Sequence, residues 1–197
     1  MNISAESDHA FEQDRGQFPG FIVSSAAMLG MALMALGFLL AVPCAKAQTA
    51  ASMADTNFIM AAAQGGITEV KLGEMASTIG KREDVKAFGL MMVKDHTAMN
   101  DDLKALALQK GITLPDSLDA DQQGIVDKMA LMTGSGFDDA YINGMIQTHQ
   151  KDAKAFRDES AATQDAAIKY FLDTSIPVVD SHLQQATVLK QAKVVKK

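Results

Sequence analysis

Three of the chain's four histidines stand where an α-helix would turn its side chains toward a core. His96 interrupts an apolar stripe that repeats at three- and four-residue steps from Val85 to Leu106. His149 and His182 interrupt two later stripes in the same way. An ionisable group on a buried face needs a partner, because burying an unpaired polar group costs free energy. The first question is therefore what holds the three imidazoles.

Carboxylates accompany these histidines. One glutamate interrupts an earlier stripe, and two aspartates lie within three residues of a histidine. Imidazoles and carboxylates that project inward from several helices are suitable ligands for Zn, Fe, Mn or Cu. The predicted metal ligands are Glu69, His96, His149 and His182, with Asp95 and Asp152 as further ligands or as acceptors that fix the imidazole tautomers.

A buried hydrogen-bond network is the alternative interpretation of the same residues. In that network Glu69 accepts hydrogen bonds from the imidazoles and no metal is bound. The cluster then specifies the fold, and its histidines could sense pH. Met92, Met99 and Met145 lie on the same stripes and as ligands would favour Cu(I). Methionine at helical spacing is more often core filler, so we do not assign them to the site.

Glycines surround the buried glutamate. Gly65 and Gly73 lie on the same helical face as Glu69, and Gly66 is adjacent to the first of them. A glycine inside a helix costs about 1 kcal/mol relative to alanine, so three of them need a reason. They indicate either room for a ligand or water beside the carboxylate, or the close approach of a second helix.

The apolar stripes predict four long helices with a short helix in the middle connection. The first stripe runs from Phe58 to Ile79, the second helix from Glu83 to Lys110, and the last two stripes over 137–156 and 168–189. The short helix falls within 111–136. No strand-like alternation occurs, and the prediction is an all-α, antiparallel four-helix bundle.

Helix ends are predicted from capping residues. Gly80 and Gly111 are expected to end the first two helices. The expected N-terminal caps are Asp55 or Thr56 for the first helix, Asp116, Ser117 or Asp119 for the short helix, Ser135 with Asp138 for the third long helix, and Thr163 for the last. Pro177 lies inside the last helix, where a kink or local unwinding is expected.

The N-terminal segment is typical of exported proteins. Residues 21–42 contain no charged side chain, and Ala45-Lys46-Ala47 matches a signal-peptidase pattern that would leave Gln48 as the first residue. The apolar run is also long enough to span a bilayer, and the residues before it are acidic where a signal should be basic. We predict a signal peptide or membrane anchor over 1–47, a linker over 48–56, the bundle over 57–191 and a basic tail over 192–197. The expected location is the periplasm or cell envelope, with the protein membrane-anchored if 21–42 is retained.

Composition argues against several functions. From residue 48 onward the chain contains 16 Lys and Arg residues and 20 Asp and Glu residues. Because the two signs of charge are interspersed, no basic surface for nucleic acid is expected. The single cysteine, Cys44, precedes the cleavage pattern, which leaves no disulfide and no thiolate ligand in the mature chain. No nucleophile elbow, phosphate loop or dinucleotide fingerprint occurs, which favours a protein without catalytic activity.

The chain resembles the bacterial family called domain of unknown function 4142 in the order and spacing of four stretches. These stretches are 61–76, 85–103, 136–156 and 168–189. The motifs Val-x-Asp-His, ending at His96, and Pro-x-x-x-x-His-Leu, ending at Leu183, are specific in combination. The resemblance implies an exported or envelope-associated protein with a ferritin-like fold and no established activity. Family positions are occupied by Glu69, Asp95, His96, Tyr141, His149, Pro177 and His182.

The chain departs from the wider ferritin-like group at one point. Di-iron sites of that group use Glu-x-x-His motifs, and the four stretches that carry the resemblance contain none, so neither a di-iron centre nor iron storage is expected. The leading prediction is an exported helical bundle that binds a metal ion or small ligand in its core. The alternative is a structural or interaction protein of the cell envelope.

Overall fold

The computed structural model describes residues 50–195, with side chains to residue 192, and its regular structure there is helical. An isolated backbone bridge joins Gly80 to Gly134. The five helices of this region are α1 (Met53–Ile79), α2 (Glu83–Lys110), α3 (Ala120–Ala130), α4 (Gly134–Ala162) and α5 (Ala166–Val195). The predicted all-α class is therefore confirmed, with α3 as the short helix of the middle connection. The predicted signal or anchor segment, 1–47, lies outside the described residues.

Two predicted boundaries move by about one turn. Residues 53–56, assigned to the linker, already form the first turn of α1. Residues 192–195, assigned to the basic tail, continue α5. Among the described helices, none is both long and apolar enough to cross a membrane.

Helix ends follow the sequence in part. Gly80 and Gly111 follow the last residues of α1 and α2, and Gly111 adopts a left-handed φ of 70°. Asp119 caps α3 by accepting a hydrogen bond from the backbone N–H of Gln122. These three predictions are confirmed.

Three other predicted caps are wrong. Ser52, and neither Asp55 nor Thr56, is the N-cap of α1, and Asp55 completes its capping box from the third position. Ser135 lies inside α4, whose N-cap Thr133 makes no side-chain capping bond. Thr163 is the C-cap of α4, and Asp165 accepts the hydrogen bonds from the first N–H groups of α5. In each case several polar residues lie near the helix start, and residue type alone does not show which of them takes the N-cap position.

Pro177 does not interrupt its helix. The residues on both sides of it are α-helical, so the local unwinding expected there does not occur. A proline removes one N–H from the helix ladder. The tertiary packing of α5 outweighs that loss, since Ser175 and Val179 on either side of Pro177 are both buried.

The four long helices pack as neighbours in the order α1, α2, α5, α4 and back to α1. Lys110, at the end of α2, pairs with Asp165 beside the start of α5. Arg82, at the start of α2, donates hydrogen bonds to the carbonyl of Leu189 near the end of α5. These contacts make α2 and α5 antiparallel. The helix α3 packs mainly on α1 within the long connection between α2 and α4.

The interior is divided into two apolar clusters with a polar layer between them. One cluster contains Ile59, Leu103, Phe156 and Ile168, and the other contains Leu72, Val85, Phe137 and Ala186, among others. On each long helix, the buried ionisable residue of the predicted site lies in sequence between the members of the two clusters. The core therefore places those four residues at a common level.

Asp138 has a role that differs from the predicted capping box. It is 1% exposed, and its two carboxylate oxygens accept hydrogen bonds from the backbone N–H groups of Lys81 and Arg82, at 2.8 and 3.0 Å. It thus joins the start of α4 to the turn between α1 and α2.

We expect Asp138→Ala to lower the free energy of unfolding by about 1–3 kcal/mol, because it leaves two backbone donors without their acceptor. Asp158→Ala is the matched control, since that side chain is 63% exposed and pairs with Lys154 on the surface. Its effect should stay below about 1 kcal/mol. Urea denaturation of both variants measures the difference, and equal losses would refute the role given to Asp138.

Candidate metal centre

The polar layer contains one ionisable residue from each long helix. Glu69 of α1, His96 of α2, His149 of α4 and His182 of α5 are all at most 5% exposed. Each replaces an apolar residue in its helix's stripe, so the same pattern that forms the core brings the four together. The predicted cluster is therefore present.

Glu69 contacts two of the imidazoles. Its Oε2 lies 3.1 Å from Nδ1 of His96, and its Oε1 lies 3.6 Å from Nδ1 of His149. The first distance allows Nδ1–H of His96 to donate to the carboxylate. The second is too long for a hydrogen bond, and Glu69 Oε1 has no hydrogen-bond partner.

His149 is held by the backbone of its own helix. Its Nδ1 lies 3.0 Å from the carbonyl oxygen of Met145, one turn earlier. A carbonyl can only accept, so this contact assigns the ring proton to Nδ1 and leaves Nε2 with a lone pair. That Nε2 lies 3.4 Å from Nδ1 of His182.

His182 is held by an aspartate. Its Nε2 lies 3.0 Å from Oδ2 of Asp95, whose side chain is 30% exposed. A neutral His182 has one N–H, and donating it to the Asp95 carboxylate leaves Nδ1 with a lone pair that faces His149. Asp95 therefore lies where an outer acceptor would fix the tautomer of a ligand histidine.

The three imidazoles are close enough to share one ion. One nitrogen from each ring can be chosen so that the three atoms lie within 4.8 Å of one another. The ring centroids are 5.1 to 5.5 Å apart. Asp95 and Glu69 contact this group from outside it.

Burial controls the charge of the layer. It lowers the pKa of His149 to about 4 and holds the pKa of His96 well below its ordinary value, with the neighbouring imidazoles adding to both effects. Burial, with the charge of Asp152, raises the pKa of Glu69 well above its ordinary value. His96 and His149 are therefore neutral at pH 7, which is the state in which an imidazole binds a metal.

Three buried polar atoms in the described residues have no hydrogen-bond partner: Glu69 Oε1, His96 Nε2 and Tyr141 Oη. Tyr141 precedes His149 by two helical turns, and burial together with the charge of Glu69 raises the pKa of its hydroxyl. Buried polar atoms are rarely left unpaired in proteins. The first two atoms belong to the polar layer, and Tyr141 belongs to the apolar cluster next to it.

The glycines beside Glu69 serve both predicted purposes. A Cβ added at Gly65 would meet nothing within 4 Å, so this position leaves open space. A Cβ at Gly66 would lie 1.9 Å from Oδ1 of Asn100, and one at Gly73 would lie 2.9 Å from the carbonyl oxygen of Gly89. Gly65 thus provides room, while Gly73 allows α1 and α2 to approach closely.

Asp152 lies apart from the imidazoles, on the wall of a cavity of about 120 Å³ that also touches Glu69 and His96. Burial raises the pKa of Asp152 to about 6. Its position beside the cavity differs from that of Asp95, which contacts a histidine directly.

The sequence pattern does not indicate two features of the site. Asn100 follows His96 by one turn and lines the same cavity, but a half-buried amide on a helix resembles a surface residue. The carbonyl of Met145 is a backbone group, and no side-chain pattern signals it. A rule that examines residues one turn beyond each buried histidine would have identified Asn100.

The fold and site thus define a class: an all-helical protein with three buried histidines that could hold a metal ion between its long helices. The family described as "Domain of unknown function (DUF4142)" matches residues 40–189, and the chain belongs to it. This confirms the resemblance found in the sequence.

Two solved structures have similar folds. A DUF305 fragment from Deinococcus radiodurans superposes with a TM-score of 0.64 at 10% identity, over 73% of this chain and 99% of that one. CopM in its Cu(II)-bound form superposes with a TM-score of 0.57 at 17% identity, over 70% of this chain and 96% of that one. None of the curated proteins matches the chain.

Proposed function

We propose that this protein is a ferritin-like, antiparallel four-helix bundle that binds one transition-metal ion, Cu(II) or Zn(II), through His96, His149 and His182. The observation that carries the proposal is the difference between the contacts of the two nitrogens in each imidazole ring. In each ring one nitrogen contacts an outer acceptor: Glu69, the Met145 carbonyl or Asp95. The second nitrogen of His96 has no partner, and the second nitrogens of His149 and His182 face each other at 3.4 Å.

The facing lone pairs of His149 and His182 support a bound cation. Two unprotonated nitrogens 3.4 Å apart repel each other unless a proton or metal ion lies between them. Nitrogens bound to one tetrahedral Zn(II) at 2.0–2.1 Å lie about 3.3 Å apart, which is close to the observed distance. The pair therefore needs little movement to share an ion.

The donor set narrows the choice of metal. Three neutral imidazoles suit Zn(II) and Cu(II), while Mn(II) prefers carboxylate oxygens and the Irving–Williams order places Mn(II) and Fe(II) below Cu(II). CopM, one of the similar folds, has a Cu(II)-bound form, which adds support for copper. The tetrahedral spacing adds support for zinc, so the two ions are to be compared directly.

The topology supports the ferritin-like description. In that fold one long crossover joins two helices of the bundle. Here the connection over residues 111–133, which contains α3, links α2 to α4, and these helices are not adjacent in the packing order. Each of them is the neighbour of both α1 and α5.

Titration of the metal-free protein tests the proposal. We expect one Cu(II) or Zn(II) to bind per chain and to raise the thermal midpoint, since an ion at 100 times its Kd stabilises the folded state by about 2.7 kcal/mol. Mn(II) at the same concentration should have little effect. Calorimetric titration and thermal unfolding measure both quantities. No binding of either ion, with no change in midpoint, would refute the metal site.

A metal-free network is the second candidate, and one observation favours it. A protonated His182 could donate to both Asp95 and His149, so the series Met145, His149, His182, Asp95 would be satisfied without metal. In that case the protein is a structural or interaction component of the cell envelope. The titration separates the two candidates. If the residues form a metal-free network, substituting them should destabilise the fold, and added metal should not change the stability of the wild type.

We also propose that the protein acts outside the cytoplasm. The apolar segment 21–42 and the Ala45-Lys46-Ala47 pattern support export. Cell fractionation tests this, and recovery of the protein in the cytoplasmic fraction alone would contradict it.

A further inference from the structure

The cavity beside Glu69 extends from the surface to the histidine layer. Its lining includes the buried side chains of Glu69 and His96 and also Ala61 and Ala155, which are exposed. The exposed members belong to α1 and α4, so the cavity opens between these two helices. His149 and His182 do not line it, and Glu69 lies both on the cavity wall and beside His149.

The opening is lined by small residues. Ala61, Gly65 and Ala155 contribute at most one side-chain carbon each. A Cβ built at Gly65 meets nothing within 4 Å, so the opening is not closed by a neighbouring side chain at that point. A glycine inside α1 is unfavourable for the helix, and here it preserves space.

Oxygen atoms lie along one part of the cavity and apolar groups along the rest. Glu69, Asp152 and Asn100 supply the oxygens, and one of them, Glu69 Oε1, is buried without a partner. Phe58, Phe156 and other apolar side chains complete the lining. Carboxylates within low-dielectric walls concentrate a negative potential that attracts cations.

We propose that this cavity is the route by which a divalent metal ion reaches the three histidines, and that Glu69 and Asp152 form its first, transient binding site. The proposal rests on the metal site proposed above. It adds a path, and it assigns Asp152 to the kinetics of loading, separate from the three imidazoles that retain the ion.

Filling the opening tests the path. In Gly65→Leu the new side chain occupies the open space, and we expect Zn(II) loading and release to slow together by about tenfold or more, because passage then requires the helices to separate. One Zn(II) per chain should still bind with unchanged affinity. Loading is followed by the absorbance of a zinc indicator, and release by transfer of the ion to excess chromophoric chelator.

Gly144→Leu is the matched control. Gly144 lies inside α4, a Cβ there also meets nothing within 4 Å, and the residue does not line the cavity. Its loading rate should equal that of the wild type. Ala61→Leu, at the exposed end of the same opening, provides a second blocking variant should Gly65→Leu fail to fold.

A charge substitution tests the first binding site. Asp152→Asn should slow Zn(II) loading by about three- to tenfold at low salt, and the difference should shrink as salt screens the carboxylate. Asp158→Asn removes the same charge from an exposed position of α4 outside the cavity lining and should load at the wild-type rate.

Each failure has a distinct meaning. If the wild type binds no ion, both the proposed function and the proposed entry path for the ion are refuted. If the wild type binds one ion and both blocking variants load at its rate, the route alone is refuted. Loss of stoichiometric binding in Asp152→Asn would make Asp152 a ligand and overturn its transient role.

Discussion

Replacing His149 by alanine is expected to abolish stoichiometric metal binding while the chain remains helical. His149 is fully buried, and its Nε2 is one of the two nitrogens 3.4 Å apart. Loss of an outer partner of a metal ligand already weakens affinity by about 10–100-fold, so loss of a ligand itself should exceed that. Elemental analysis and circular dichroism of the purified variant give the two readouts.

Two further variants show whether the effect follows from the donor atom. Asp95→Asn keeps all three imidazoles and alters the acceptor for His182, so we expect one ion per chain with affinity reduced about 10–100-fold. Met92→Leu removes a buried thioether of similar volume and should leave binding unchanged. Retention of one ion by His149→Ala, or its loss in Met92→Leu, would contradict the three-histidine assignment.

The second large effect concerns stability. Gly89→Ala is expected to lower the free energy of unfolding by about 3 kcal/mol or more, because overpacking against backbone is difficult to relieve. A Cβ at Gly89 would lie 2.7 Å from the carbonyl oxygen of Gly73 and 2.8 Å from the backbone nitrogen of Ser77. Neither atom can move without shifting α1 away from α2. Urea denaturation at neutral pH measures the loss.

Gly65→Ala is the control for the same substitution on the opposing helix. Nothing lies within 4 Å of its Cβ, so the higher helix propensity of alanine should raise stability by up to about 1 kcal/mol. Opposite signs for the two variants are the expected result. A Gly89→Ala variant as stable as the wild type would show that the two helices do not approach as described.

The helices and their buried faces followed from the sequence because apolar periodicity reports burial directly. His96, His149 and His182 were found in the same way, since each replaces an apolar residue within a stripe. Antiparallel packing then brings residues from the middle of each stripe to one level. The existence of the cluster was therefore predictable, and the four residues chosen for it are together.

The contacts within the cluster were harder to predict from the sequence. Periodicity identifies the face of a helix but gives no distances, so it did not assign Glu69 to His96 or Asp95 to His182. The glycines show the same limit. Gly65 and Gly73 share a face and a residue type, yet one faces open space and the other a backbone carbonyl of α2.

Three of the predicted helix caps were wrong for a related reason. Several polar residues lie near the start of each of these helices, and residue type does not show which of them caps the helix and which makes another contact. Asp138 binds the turn after α1 and is thus removed from capping its own helix. Asp138 is 57 positions from Lys81 and 56 positions from Arg82 in the sequence, so no local sequence pattern indicates this contact.

X-ray absorption spectroscopy of the metal-loaded protein tests the central claim most directly, because it counts the ligands of the bound ion. With one Cu(II) or Zn(II) per chain, we predict three imidazole nitrogens at about 2.0–2.1 Å. The three should include His96 and His149, so that the His149→Ala protein, forced to bind at excess metal, shows one imidazole fewer. A first shell with fewer than three imidazoles, or one made mainly of carboxylate oxygens, would contradict the account.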